Sequence, residues 1–154
     1  MVKLAFVVED LNASQVGYQS VRELNILSER SSEIEPSIFF IEQSWPCMAP
    51  KFARYHVRDS LWYDGHLIAT SLKTALSIRT STRAKRYFYI QDLEWLRGNC
   101  DLDGWKSIMS DEGYVKICRC KDHAKEVHEA GFCVNLIVIE NFEINKFVEL
   151  INGR

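Results

Sequence analysis

Gln91, Asp92, Glu94 and Trp95 close the apolar run Arg86-Tyr87-Phe88-Tyr89-Ile90 and carry the densest functional chemistry of this chain. An amide and two carboxylates match sugar hydroxyls as hydrogen-bond donors and acceptors, and an indole offers an apolar face to a sugar ring. Asp92 and Glu94 are the candidates for acid–base catalysis, which needs a carboxyl group of tuned proton affinity. The competing role is structural: either carboxylate can cap the segment that follows, and Trp95 can fill the core.

Two further polar clusters have the same grammar. His66-Leu67-Ile68-Ala69 runs into Thr70-Ser71, with Ser71 placed to cap a helix carrying Leu72, Ala75, Leu76 and Arg79. Asn12, Ser14 and Gly17 follow the first apolar run, where a helix beginning near Ser14 attracts negative charge through its dipole. Gly17 is the one glycine in that turn, and neither GxGxxG nor a P-loop occurs. No dinucleotide or other cofactor is therefore expected.

The remaining constellations read as structure. Asp101-Leu102-Asp103 matches the bare DxD of metal-dependent sugar transferases, but it follows Gly98-Asn99-Cys100 and fits a turn plus a helix cap. Cys118 and Cys120 are too close for a zinc knuckle, alternate residues of a strand face opposite sides, and His123 and His128 do not share a helical face. No metal site is expected. Nothing orients a base toward a thiol, so a nucleophilic Cys–His pair has no support. His66 reads as the surface start of a strand.

Positioning these groups requires strands that alternate with helices. Strands are expected over 3–8, 37–41, 66–70, 86–90, 114–118 and 134–139, and helices over 14–31, from Ser71, over 122–130 and from about Asn141. A short helix around Trp105 is also expected. Val21, Leu24 and Leu27 give the first helix one buried face, Gly131 supplies a C-terminal stop, and Ile144, Phe147, Val148 and Ile151 form the last buried stripe. The prolines of Trp45-Pro46 and Ala49-Pro50 predict loop. Apolar strands without strict alternation imply a parallel sheet covered on both faces. The fold expected is α/β: one Rossmann-like three-layer sandwich over 1–154, with a mostly parallel sheet of about six strands.

A chain of 154 residues with 47% hydrophobic and 12% aromatic residues can bury a real core. Its net charge of −2 gives no general attraction to nucleic acid or anionic membrane. Only the stretch 79–86, with Arg79, Arg83, Lys85 and Arg86, is basic, and it reads as a solvated loop. Five cysteines without framework spacing, no signal peptide and no membrane-length apolar run predict a soluble cytoplasmic protein.

The succession of Ala69-Thr70-Ser71 before a helix, the strand ending Tyr89-Ile90-Gln91-Asp92-Leu93-Glu94-Trp95, the segment from Tyr114 to Phe132 and the closing segment from Leu136 to Ile151 resembles the N-terminal, acceptor-side domain of GT-B type glycosyltransferases. Those enzymes hold the nucleotide-sugar donor mainly on a second domain. The resemblance therefore implies a stand-alone half that binds a sugar acceptor or nucleotide sugar, with hexosyl transfer dependent on a partner. Asn12, Ser14, Gly17, Thr70, Ser71, Gln91 and Trp95 would line its cleft, with Asp92 and Glu94 as the catalytic carboxylates. The alternative is a non-catalytic interaction or assembly module, with a protein partner or a second copy docking on the aromatics Trp45, Tyr55, Trp62 and Tyr63.

Overall fold

The computed structural model describes residues 1–12, 14–132 and 136–153. Its framework is a single sheet of seven strands, all parallel: β1 (Val2–Val8), β2 (Ile34–Phe40), β3 (Ala53–His56), β4 (His66–Ala69), β5 (Lys85–Ile90), β6 (Tyr114–Cys118) and β7 (Ile137–Val138). The spatial order is β3-β2-β1-β4-β5-β6-β7. The helices are α1 (Gln15–Arg30), α2 (Leu72–Ser77), α3 (Leu102–Ser110), α4 (Lys121–Glu129) and α5 (Ile144–Ile151). The Rossmann-like α/β expectation holds.

The strand count is corrected from about six to seven. The added strand, β3, has three exposed residues of four and lies at the sheet edge, so no apolar run announces it. Pro36 sits within β2 without cost to the sheet, because β3 pairs only from Ser37 onward and leaves that side of Pro36 unbonded. The last helix begins at Ile144 rather than near Asn141, since Asn141 and Phe142 have φ of 55° and 56° and cannot continue a helix. Val134 and Asn135, which belong to the expected sixth strand, lie outside the described residues.

Two apolar layers sandwich the sheet. On one face α1 and α5 bury Val21, Leu24, Leu27, Ile144 and Phe147 against Leu4, Phe6, Ile38 and Ile117. On the other, Leu72, Ala75, Trp105, Ile108 and Val127 of α2, α3 and α4 cover Ala5, Val7, Phe88 and Cys118. Each large side chain so buried contributes about 2 kcal/mol. The strands at the centre, buried from both sides, are accordingly apolar at consecutive positions: Leu4 to Val8 are all 1% exposed or less.

The order of strands also fixes where a ligand can enter. The chain leaves β1 for α1 on one face and leaves neighbouring β4 for α2 on the other. The two loops diverge, and a crevice opens between them at the carboxyl edge, the topological switch point of the sheet.

Candidate functional site

The switch-point crevice has a volume of about 220 Å³ and is lined by Val8, Glu9, Asp10, Ser14, Val16, Gly17, Thr70 and Ser71. Four of the residues expected from the sequence thus meet here. Ser14 caps α1, its hydroxyl accepting the Gly17 N–H at 3.0 Å. Ser71 and Thr74 form a capping box: Ser71 Oγ accepts from Thr74 N at 3.2 Å, and Thr74 Oγ1 accepts from Ser71 N at 2.9 Å. Thr70 donates its hydroxyl to Val7 O at 2.8 Å and its N–H to Thr74 Oγ1 at 3.0 Å, tying β4 to the end of β1. These hydroxyls shape the crevice and retain lone pairs for a ligand. Asn12 is exposed, and its N–H donates to Asp10 Oδ1 at 2.9 Å.

Gly17 is required by close approach. A Cβ there would meet Asn12 O at 2.6 Å and Ser14 Oγ at 3.0 Å. The missing side chain lets the loop after β1 rest on the first turn of α1.

Gln91 belongs to a second hollow on the same edge, about 410 Å³, walled by Gln15, Gln19, Tyr89, Gln91, Arg119, Cys120, Glu140, Asn141 and Phe142. The two hollows share the first turns of α1 as a wall. Tyr89 donates its buried hydroxyl to Ile139 O at 3.0 Å, and burial raises its pKa to about 12, so it remains a neutral donor. Phe142 packs on Phe6 and Tyr89 with centroids 4.8 and 4.9 Å away. A third hollow of about 530 Å³ beside β2 is lined by Leu11, Phe40, Gln43, Ser44, Trp45 and Arg54.

The two expected catalytic carboxylates and Trp95 lie elsewhere. Asp92 pairs with Arg97 and accepts the Leu93 N–H at 2.8 Å. Glu94 accepts the Leu72 N–H, with its oxygens at 3.1 and 3.3 Å, and so holds the first turn of α2. Burial raises its proton affinity above the usual carboxylate range, the Leu72 amide opposes this, and the charge of Glu9 adds to it. Trp95 packs on Trp105 and Phe132 at 4.8 and 5.2 Å, within the layer formed by α2, α3 and α4. Neither carboxylate is among the residues that line the switch-point crevice.

His66 begins β4 at the opposite edge of the sheet, its Nδ1 2.9 Å from the Tyr87 hydroxyl. Burial first, then the charge of Lys85, lowers its pKa. The basic stretch also sits at that amino edge: Arg79 pairs with Asp111 at 3.7 Å, and the Arg86 guanidinium lies 4.6 Å from the Tyr114 ring centre. Asp101 caps α3, accepting from Gly104 N at 2.8 Å, and Cys120 caps α4, its Sγ accepting from His123 N at 3.4 Å. No cluster of three or more His, Cys, Asp or Glu able to hold a metal occurs among the described residues.

Gln19, Arg119 and Glu140 were not anticipated from the sequence, whereas Gln15 lies in the stretch 12–17 expected to line the cleft. Arg119 carries the signal that marked Gln91, being the first polar residue beyond an apolar strand, and Gln15 and Gln19 have the i, i+4 spacing of one helical face. No protein-family profile matches the chain, and no curated protein matches its sequence.

Proposed function

We propose that this chain is a glycosyltransferase-like domain that binds a sugar acceptor or nucleotide sugar at the carboxyl edge of its sheet, in the manner of the acceptor-side half of a GT-B enzyme. The observation that carries this reading is the crevice between the diverging loops of β1 and β4, with Ser14, Gly17, Thr70 and Ser71 on its walls. Open parallel sheets take their ligands at that point, and its hydroxyls, together with the amides of Gln15, Gln19 and Gln91 next to it, match a hydroxyl-rich ligand. Glu94 acts as a positioning residue, fixing the start of α2 and with it Ser71. Group transfer on this reading requires a donor domain in addition to this one.

The test is a thermal-shift screen against UDP-, GDP-, ADP- and dTDP-sugars, the free nucleotides and simple glycans, followed by amide chemical-shift mapping of any ligand that raises Tm. The reading expects shifts centred on Ser14, Gly17, Thr70 and Ser71. A flat screen at millimolar ligand, or shifts confined to the amino edge, overturns it.

A second reading, an assembly module, is favoured by Trp45 and Trp62, which are 91% and 75% exposed on the segments flanking edge strand β3. It expects a stable oligomer in light scattering that Trp45→Ser or Trp62→Ser dissociates.

A further inference from the structure

Beside the switch point, the hollow at the carboxyl ends of β5, β6 and β7 gathers exposed charged groups and one buried acceptor without a partner among the described residues. The Arg119 guanidinium, one residue past β6, forms no ion pair among the described residues, and neither does the Glu140 carboxylate across the lining. Gln19 Oε1 is shielded from solvent and has no hydrogen-bond partner. A buried acceptor left without a donor is costly and uncommon in a folded chain. Gln19 also lines the hollow, and a turn of its amide toward the cavity would let a ligand hydroxyl supply the missing donor.

The backbone is also held in an uncommon form at this place. Asn141 and Phe142 are consecutive residues in the left-handed region, and neither is glycine. Asparagine adopts this region readily, but for Phe142 it costs on the order of 1–2 kcal/mol, and for a bulky aromatic such a conformation is a true outlier. The turn persists because the Phe142 ring is locked between Phe6, Tyr89 and Phe147. Its consequence is that Glu140 and Asn141 face outward onto the rim of the hollow while Phe142 is buried.

From these groups we infer that the hollow walled by Gln15, Gln19, Gln91, Arg119, Glu140 and Asn141 is a sugar-phosphate subsite. Arg119 takes the phosphate, a planar fork of N–H donors being suited to phosphate oxygens. Gln19 Oε1 accepts from a ring hydroxyl, and Gln15, Gln91, Asn141 and Glu140 divide the other hydroxyls. The amides and Glu140 beside Arg119 match ring hydroxyls that inorganic phosphate lacks, which favours a phosphate ester of a sugar. The volume of about 410 Å³ admits a hexose phosphate. The phosphorylated sugar is either free or the sugar-phosphate portion of a nucleoside diphosphate sugar. This assignment rests on the proposed sugar-binding function and names the ligand chemistry of its second hollow.

Isothermal titration with four probes separates the two ideas: glucose, glucose 1-phosphate, inorganic phosphate and UDP-glucose, each against wild type, Arg119→Ala and Gln19→Leu. Glucose 1-phosphate is expected to bind wild type, and Arg119→Ala to weaken it about ten- to a hundred-fold, the scale of a lost charged hydrogen bond. Gln19→Leu is expected to weaken glucose 1-phosphate without lowering Tm, because its Oε1 holds nothing in the free protein and a purely structural glutamine would not behave so. UDP-glucose binding that depends on Arg119 identifies the nucleotide-linked source; glucose 1-phosphate binding without UDP-glucose binding identifies the free ester. Glucose 1-phosphate affinity unchanged by Arg119→Ala overturns the subsite. If UDP-glucose then still shifts the amides of Ser14, Gly17, Thr70 and Ser71, the proposed function survives that failure. Absence of binding by all four probes overturns both.

Discussion

Replacing Gly17 by alanine reverses an ordinary expectation. Glycine to alanine inside a helix normally stabilises by about 1 kcal/mol, because alanine loses less backbone entropy on folding. Here the new Cβ would stand 2.6 Å from Asn12 O, 3.0 Å from Ser14 Oγ and 3.5 Å from Asp10 O. The nearest of these is backbone and cannot swing aside as a long side chain would. Overpacking of this kind costs about 1–3 kcal/mol. Displacing Ser14 also weakens the cap on α1, a loss of about 1 kcal/mol. The balance is a net destabilisation of about 1–3 kcal/mol, or a Tm lower by roughly 2–12 °C in a domain of this size.

Urea unfolding followed by circular dichroism measures this directly, with an unchanged slope required for the comparison to hold. Gly98→Ala is the control, since a Cβ at Gly98 meets nothing within 4 Å. It should leave the midpoint unchanged or slightly raised. A Gly17→Ala variant as stable as wild type would refute the reasoning. The loop after β1 would then not rest on α1, and the switch-point crevice would not have the shape described.

Three other outcomes follow from named contacts. Tyr89→Phe keeps the ring packing on Phe142 and Phe147 but orphans Ile139 O, so it should cost about 1–3 kcal/mol in urea unfolding and speed amide exchange around Ile139. Glu94 binds its proton more tightly folded than unfolded, so its contribution to stability is fully present below its ordinary 4.5 and is lost as pH rises through the raised folded value. Glu94→Gln should flatten that part of the stability profile; an unchanged slope would contradict the burial of Glu94. His66 has the opposite linkage: its folded pKa lies below 6.5, so stability present above 6.5 is lost as pH falls through the depressed value, and its imidazole should titrate by NMR with a midpoint under 6.5.

The parallel sheet was legible because central strands buried on both faces must be apolar at every position, as Leu4 to Val8 and Tyr87 to Ile90 are. Caps were legible for a related reason: Ser14, Ser71 and Asp101 satisfy helix N–H groups with side chains whose chemistry is local. β3 was not, since an edge strand of four residues buries little and its pairing is a property of the sheet. The site was legible only as a set of strand ends. Ser14, Gly17, Thr70 and Ser71 converge because β1 and β4 are neighbours, and that adjacency is set by strand order. Asp92, Glu94 and Trp95 diverge because the 3-10 turn at Glu94–Leu96 carries Trp95 onto Trp105 and Glu94 onto α2.

Matched and unmatched polar groups occur at both edges of the sheet. At the amino edge several are matched within the fold, Lys3 with Asp64 at 2.7 Å, Arg79 with Asp111 at 3.7 Å, His66 with Tyr87 at 2.9 Å and Arg86 over Tyr114, while the buried Tyr63 hydroxyl has no hydrogen-bond partner among the described residues. At the carboxyl edge the hydroxyls of Ser14, Thr70 and Ser71 are committed to caps and strand ends, which shape the crevice. Next to them Gln19 Oε1 has no partner, and Arg119 and Glu140 form no ion pair among the described residues. Folding alone gives no return for leaving a buried acceptor unpaired beside a strained turn. A ligand that fills the hollow would supply the missing partners, so its binding should stabilise the native state and lower amide exchange at Asn141 and Phe142. Exchange there that does not respond to a bound sugar phosphate would mean that the turn serves only to bury Phe142.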